Sequence, residues 1–129
     1  MFWIVLVARV LVGLPFFVIG LNHFLRFMPD PPPPETDAAK TFGGVLMATG
    51  YMNVVKVLEA VGGALILSGR FVPLGLVMAT PVAVNIMLFD FLLVGQPGLG
   101  VVLTGLCVFL IGAYRSHFLP LFAVKPKIG

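Results

Sequence analysis

The chain has 129 residues, of which 60% are apolar and 10% charged, and its mean hydropathy is +1.12. Too few polar side chains are present to cover a water-facing surface, so a soluble globular domain is excluded and a single membrane domain is expected. The net charge of +3 does not point to nucleic acid, because the basic residues are scattered and mostly flank apolar segments, where they orient a chain in a bilayer.

A helix needs about 20 apolar residues to cross a hydrocarbon core roughly 30 Å thick. Four segments come close to that length: residues 2–24, 52–68, 71–94 and 99–114. The runs are too long, and alternate too little with polar residues, for barrel strands. The expected fold is therefore an all-α membrane protein, a four-transmembrane-helix bundle forming one domain over residues 1–129. The first span has no basic region before it, carries Arg9 inside it and lacks a small-x-small cleavage site, so it reads as a retained helix rather than a signal peptide. Pro15 and Pro81 fall inside spans one and three, where each frees a carbonyl one turn back and predicts a kink.

Residues 27–50 join the first two spans. Five prolines within the six residues from Pro29 to Pro34 forbid helix and predict a rigid, extended outer loop. Thr36 is placed to cap a short amphipathic helix, interfacial or re-entrant, with Asp37 in its first turn, running through Thr49 and stopping at Gly50. Gly13 and Gly20, and again Gly98, Gly105 and Gly112, recur every seven residues, a spacing that lets helix backbones approach closely. Arg70, Arg115, Lys125 and Lys127 outnumber Arg26 and Lys40, which puts both termini in the cytoplasm and the loop bearing Asp30, Glu35 and Asp37 outside. Trp3, Phe2, Tyr114 and Phe118 fit an aromatic belt at the cytoplasmic interface.

Ionisable groups at membrane depth are costly, and each calls for a named partner. Counted from the cytoplasmic ends of spans one and two, Arg9 and Glu59 lie at similar depth, roughly 10 Å in, which predicts an interhelical ion pair between them. In the outward half, Asn22, His23, Asn53, Lys56, Asn85 and Asp90 predict a polar cleft with Arg9 and Glu59 at its floor; Asn53, Lys56 and Glu59, spaced by three, share one helical stripe. The alternative is a solvated vestibule of satisfied polar groups. No second His or Cys lies at ligand spacing to His23, His117 belongs to the opposite side, and no metal site is expected. With Cys107 the sole cysteine, an intrachain disulfide is excluded. No phosphate-loop pattern occurs, so nucleotide binding is not indicated.

The runs Gly20-Leu-Asn-His-Phe24, Ala48-Thr-Gly-Tyr51, Val55-Lys-Val-Leu-Glu-Ala-Val-Gly-Gly63, Gly69-Arg-Phe-Val-Pro-Leu-Gly75, Thr80-Pro-Val-Ala-Val-Asn-Ile86 and Ala113-Tyr-Arg115 resemble, in order and spacing, the DoxX-like family of small integral membrane proteins. The resemblance covers nearly the whole chain. It implies a four-helix bundle with intramembrane charges at the positions of Arg9 and Glu59. It also implies association with membrane oxidoreductases, such as a thiosulfate:quinone oxidoreductase, or a role in assembly. The family pattern carries Lys where this chain has His23 and His where it has Asp90, and the long proline run is unusual for the group and suits partner docking. The expected function is therefore an accessory inner-membrane subunit of a redox complex in a bacterium, holding no redox centre of its own, with a quinone admitted by the outward cleft. Its expected partners are the lipid bilayer, other subunits of a membrane complex or copies of itself. A structural or assembly subunit and a small carrier or proton-conducting protein are the alternatives, and nothing catalytic is placed on the chain.

Overall fold

The computed structural model describes residues 1–29 and 31–129; Asp30, expected on the outer loop, lies outside the described residues. Every regular element among them is helical: α1 (Phe2–Leu25), α2 (Asp37–Ala48), α3 (Tyr51–Ser68), α4 (Val72–Leu88), a π-wound continuation over Phe89–Val94, α5 (Leu99–Ala113), and two 3₁₀ turns at Arg115–His117 and Leu119–Phe122. Three of these stretches, Phe2–Leu25, Tyr51–Ser68 and Val72–Val94, are long and apolar enough to cross a membrane. The expected fourth span is shorter than that: α5 is apolar but has 15 residues, about 22 Å of helix. Chain-breaking residues account for its length, since the Gln96-Pro-Gly98 turn precedes it and the backbone tightens into 3₁₀ geometry from Arg115.

The helices close a ring in the order α1, α3, α4, α5, with α5 returning to α1 and α2 lying against α3 and the π-wound segment. Inside are Val12, Phe16, Ile66, Leu76, Ala79, Ala83, Cys107 and Leu110, all at 1% exposure or less. Outside, the bundle presents Phe2, Trp3, Val54, Val77, Leu92, Val102 and Val108, each more than half exposed. An exterior so apolar is compatible with contact to lipid and not with a water-soluble monomer.

Close backbone approach sets the packing of α1 on α3. A Cβ on Gly63 would stand 2.5 Å from the Phe17 nitrogen and 2.8 Å from the Gly13 carbonyl oxygen, and one on Gly20 would stand 2.7 Å from the Ala60 nitrogen. Only hydrogen fits at such a crossing. The seven-residue recurrence therefore has this meaning on α1 but not on α5: Gly105 and Gly112 have nothing within 4 Å of a Cβ position, so they merely lie on an open face. Pro15 and Pro81 both sit within unbroken helices.

The connection between α1 and α3 follows its sequence signals. Thr36 caps α2, its Oγ1 accepting from the Ala39 nitrogen at 3.2 Å, and Asp37 in the first turn suits the positive end of the helix. Gly50, left-handed at φ 79°, then turns the chain into α3. The Thr36 hydroxyl also donates to the Leu93 carbonyl, and Phe42 packs on Phe89 with ring centroids 5.9 Å apart. Both contacts tie α2 to the end of α4, where π winding leaves carbonyls without their usual helical partner.

Candidate functional site: a cavity beneath the connecting helix

The glycine contacts fix the register between α1 and α3, and the register separates the two charges expected to pair. Gly20 lies against Ala60 and Gly13 against Gly63 and Leu67. Glu59 is thus level with the neighbourhood of Gly20, which is eleven residues, roughly 16 Å, along α1 from Arg9. The Arg9–Glu59 ion pair does not form, because α1 overhangs the end of α3 by more than two turns and counting from the helix ends assumed them flush. Arg9 instead caps the C-terminus of α3: its Nε donates to the Ile66 carbonyl at 3.0 Å and its Nη2 to the Leu67 carbonyl at 3.3 Å. These carbonyls lie in the negative last turn, where a cation is favoured. Gly69 follows in a left-handed conformation, φ 78°, and any side chain there would run into the guanidinium. We predict that Arg9→Leu costs about 2 kcal/mol, the usual size for charged hydrogen bonds, and that Arg9→Lys recovers part of it, as read by unfolding of the purified protein in mixed micelles.

Glu59 finds its partner on its own helix. Lys56 Nζ stands 2.9 Å from Glu59 Oε2, the one ion pair among the described residues. The carboxylate is 2% exposed, the only buried charged group in the described chain. Facing it is a cavity of about 310 Å³ walled by α2 (Phe42, Gly43, Leu46), α3 (Tyr51, Met52, Val55, Lys56, Glu59) and α4 with its continuation (Val82, Asn85, Ile86, Phe89). The walls are predominantly apolar, and the convergent polar groups are the ion pair and Asn85, whose Nδ2 donates to the Pro81 carbonyl at 2.9 Å. A concave apolar space of this size with a few fixed polar groups is the usual form of a small-molecule site.

The six residues expected to line a single outward cleft are thereby divided. Lys56 and Asn85 line the cavity, together with Glu59. His23 and Asn53 meet each other across α1 and α3, with Nε2 and Oδ1 2.7 Å apart, outside the cavity lining. Asn22 closes the end of α1, its Oδ1 accepting from the Met28 nitrogen at 2.8 Å. Asp90 organises the turn into α5: its Oδ2 accepts from the Gly100 nitrogen at 3.2 Å, and its carbonyl accepts from Gly95 and Gln96. A carboxylate at the positive end of α5 is a stabilising cap, so Asp90 is occupied structurally. Arg9 is likewise no part of a cleft floor.

Sequence reasoning missed Phe42, Leu46 and Phe89. A helix at the interface contributes no wall to a bundle, yet the amphipathic pattern of α2 requires a covered face. The π winding at Phe89 had no signal that hydropathy could carry.

No family model matches the chain, and no solved structure matches it. The uncharacterized protein YwoB of Bacillus subtilis (strain 168) is 29% identical over 125 residues, an alignment covering 92% of this chain and 81% of that protein. What this chain is similar to is thus a bacterial protein that shares nearly its full length.

Proposed function

We propose that the chain is an accessory integral-membrane protein of the DoxX-like kind, with α1, α3, α4 and α5 in a bacterial inner membrane and α2 at the outward interface. In this role it supports a redox complex and admits a quinone-like ring to the cavity beneath α2. The observation that carries the reading is the cavity itself: apolar walls including Phe42, Met52 and Phe89, set around one buried ion pair. An apolar ring gains from those walls, while its oxygen substituents meet Lys56 and Asn85. α5, though short, completes the ring of helices against α1 and α4, and a bilayer adjusts to a short apolar helix at modest cost. Arg70 follows the end of α3 and Arg115, Lys125 and Lys127 follow the end of α5, against Arg26 and Lys40 in the connection between α1 and α3, which supports cytoplasmic termini.

Photolabelling in native membranes with a short-chain azidoquinone tests this. Adducts are expected on peptides carrying Phe42, Met52 or Phe89 and are expected to disappear with excess unlabelled quinone; labelling confined to lipid-facing residues of α1 and α5 contradicts it. Co-purification in mild detergent with a flavin, haem or iron–sulfur protein is expected for the subunit role, and a lone monomer argues against it. The carrier or proton-conducting alternative is less favoured, because Glu59 is held by Lys56 and Asp90 by the first turn of α5. Neither acid is left as a relay between the two sides.

A further inference from the structure

We infer that the cavity beneath α2 selects a neutral ring carrying a hydroxyl group, whose O–H donates to Glu59 and whose oxygen accepts from Lys56, over a ring that offers acceptors only. The inference rests on the reading that a small ring enters this cavity, and it goes further by naming the head group.

Its basis is an unsatisfied acceptor. Glu59 Oε2 is buried against Lys56 Nζ at 2.9 Å and meets no other donor, and no hydrogen bond ends on Oε1. The contact neutralises charge without filling the lone pairs, of which an ionised carboxylate has about four sites. None of the side-chain hydrogen bonds found among the described residues ends on Glu59 or starts from Lys56 Nζ. A buried acceptor left in this state is costly and calls for a donor. Oε2 is closed off by its surroundings, so a further donor meets the carboxylate at Oε1, from the cavity that Glu59 and Lys56 both line. Asn85 does not supply it: one N–H of its amide donates to the Pro81 carbonyl, and no hydrogen bond joins it to Glu59.

Charge sets the remaining terms. Lys56 and Glu59 compensate one another, so a charged head group would upset the balance in a largely apolar hollow, whereas a neutral one leaves it intact. A hydroxyl is both donor and acceptor, matching a carboxylate and an ammonium side by side. A carbonyl oxygen can accept from Lys56 but leaves Glu59 unsatisfied. The aromatic pair Phe42–Phe89, tilted at 46°, and the Tyr51 ring in the wall favour a flat ring over a flexible chain. A site built around a hydroxyl rejects the analogue lacking it more strongly than shape alone does, because its own buried groups are then stranded. Among ring compounds with two redox states, both enter the cavity and the reduced, hydroxyl-bearing state is held more tightly than the quinone.

The test compares a trifluoromethyl-substituted tetramethylphenol with its methyl ether by fluorine NMR titration of the purified full chain in micelles. The reference is the double variant K56M/E59L, which removes the pair as a unit and leaves neither charge buried alone. The phenol is expected to bind the native chain at least about tenfold more tightly than the ether, with the ratio falling close to one in the double variant. If both probes bind the native chain equally, the hydroxyl assignment is overturned while ring entry stands; if neither binds, both fall. A preference that persists unchanged in the double variant places recognition elsewhere and also overturns the assignment. Displacement of the phenol by a monoacylglycerol at lower concentration would make a lipid glycerol hydroxyl the donor and refute the ring.

Discussion

Replacing Lys56 by methionine while Glu59 remains is expected to destabilise the folded bundle by about 2–4 kcal/mol. Breaking a buried pair by removing one partner leaves a carboxylate uncompensated in an apolar setting. The figure is held below the range for fully buried pairs because the Lys56 side chain keeps 19% of its surface exposed. Adding Glu59→Leu to Lys56→Met is expected to restore most of the loss, since apolar residues of similar volume replace an ion pair at little net cost. The two singles and the double form a cycle whose interaction term reports the pairing. Unfolding by titration with a denaturing detergent measures all four proteins. An Arg9→Leu/Glu59→Leu cycle is expected to be additive, because these residues share no contact and lie far apart along the helices.

The second large effect belongs to the α1–α3 crossing. Gly63→Ala places a methyl group 2.5 Å from the Phe17 nitrogen and 2.8 Å from the Gly13 carbonyl oxygen. These are backbone atoms that cannot rotate aside, so the helices must separate along their contact. Overpacking of this kind costs about 3 kcal/mol. Gly105→Ala is the matched control: nothing lies within 4 Å of its Cβ position, and alanine in a helix interior is favoured over glycine by up to about 1 kcal/mol. Opposite signs are therefore expected from the same substitution at two helical glycines, and thermal denaturation in detergent distinguishes them.

The helical segments were largely readable because each is bounded by residues with a local physical effect. Thr36 with Asp37 starts α2, Gly50 turns it into α3, and Gly69 with Arg70 separates α3 from α4. Such signals act within a turn of where they sit and need no knowledge of the rest of the fold. The bounds of α5 differ by one residue from the 99–114 segment, but its 15 residues fall short of the length a crossing needs, because hydropathy marks an apolar helix more readily than it marks one long enough to span. Side-chain partnerships were much less accessible. Arg9 and Glu59 look matched when depth is counted from helix ends, but antiparallel helices are aligned by where their smallest residues meet. Here Gly13, Gly20, Ala60 and Gly63 shift α1 past the end of α3. Arg9 then answers the carbonyls of Ile66 and Leu67, and Glu59 turns toward α4 with Lys56.

Asp90 and Asn22 show a related difficulty. A polar residue within an apolar run reads as a cleft group, yet an open helix end or a chain reversal claims it first when one lies within reach. Asp90 meets the N-terminus of α5 ten residues ahead, and Asn22 meets the backbone of Met28. His23 and Asn53 meet each other. Once those four are accounted for, the polar residues still facing a cavity are Lys56, Glu59 and Asn85. The functional reading narrows from a broad outward cleft to a compact apolar space with one ion pair.

All of these assignments depend on the offset between α1 and α3, and thiol cross-linking reads that offset directly. In a background with Cys107 replaced by alanine, H23C/N53C is expected to be bridged by a short bifunctional thiol reagent that replaces the two native side chains, whose tips meet at 2.7 Å. R9C/E59C, roughly 16 Å apart along the helices, is expected to remain unbridged. Efficient trapping of R9C/E59C with none for H23C/N53C would contradict the offset, and with it the placement of Glu59 beside the cavity.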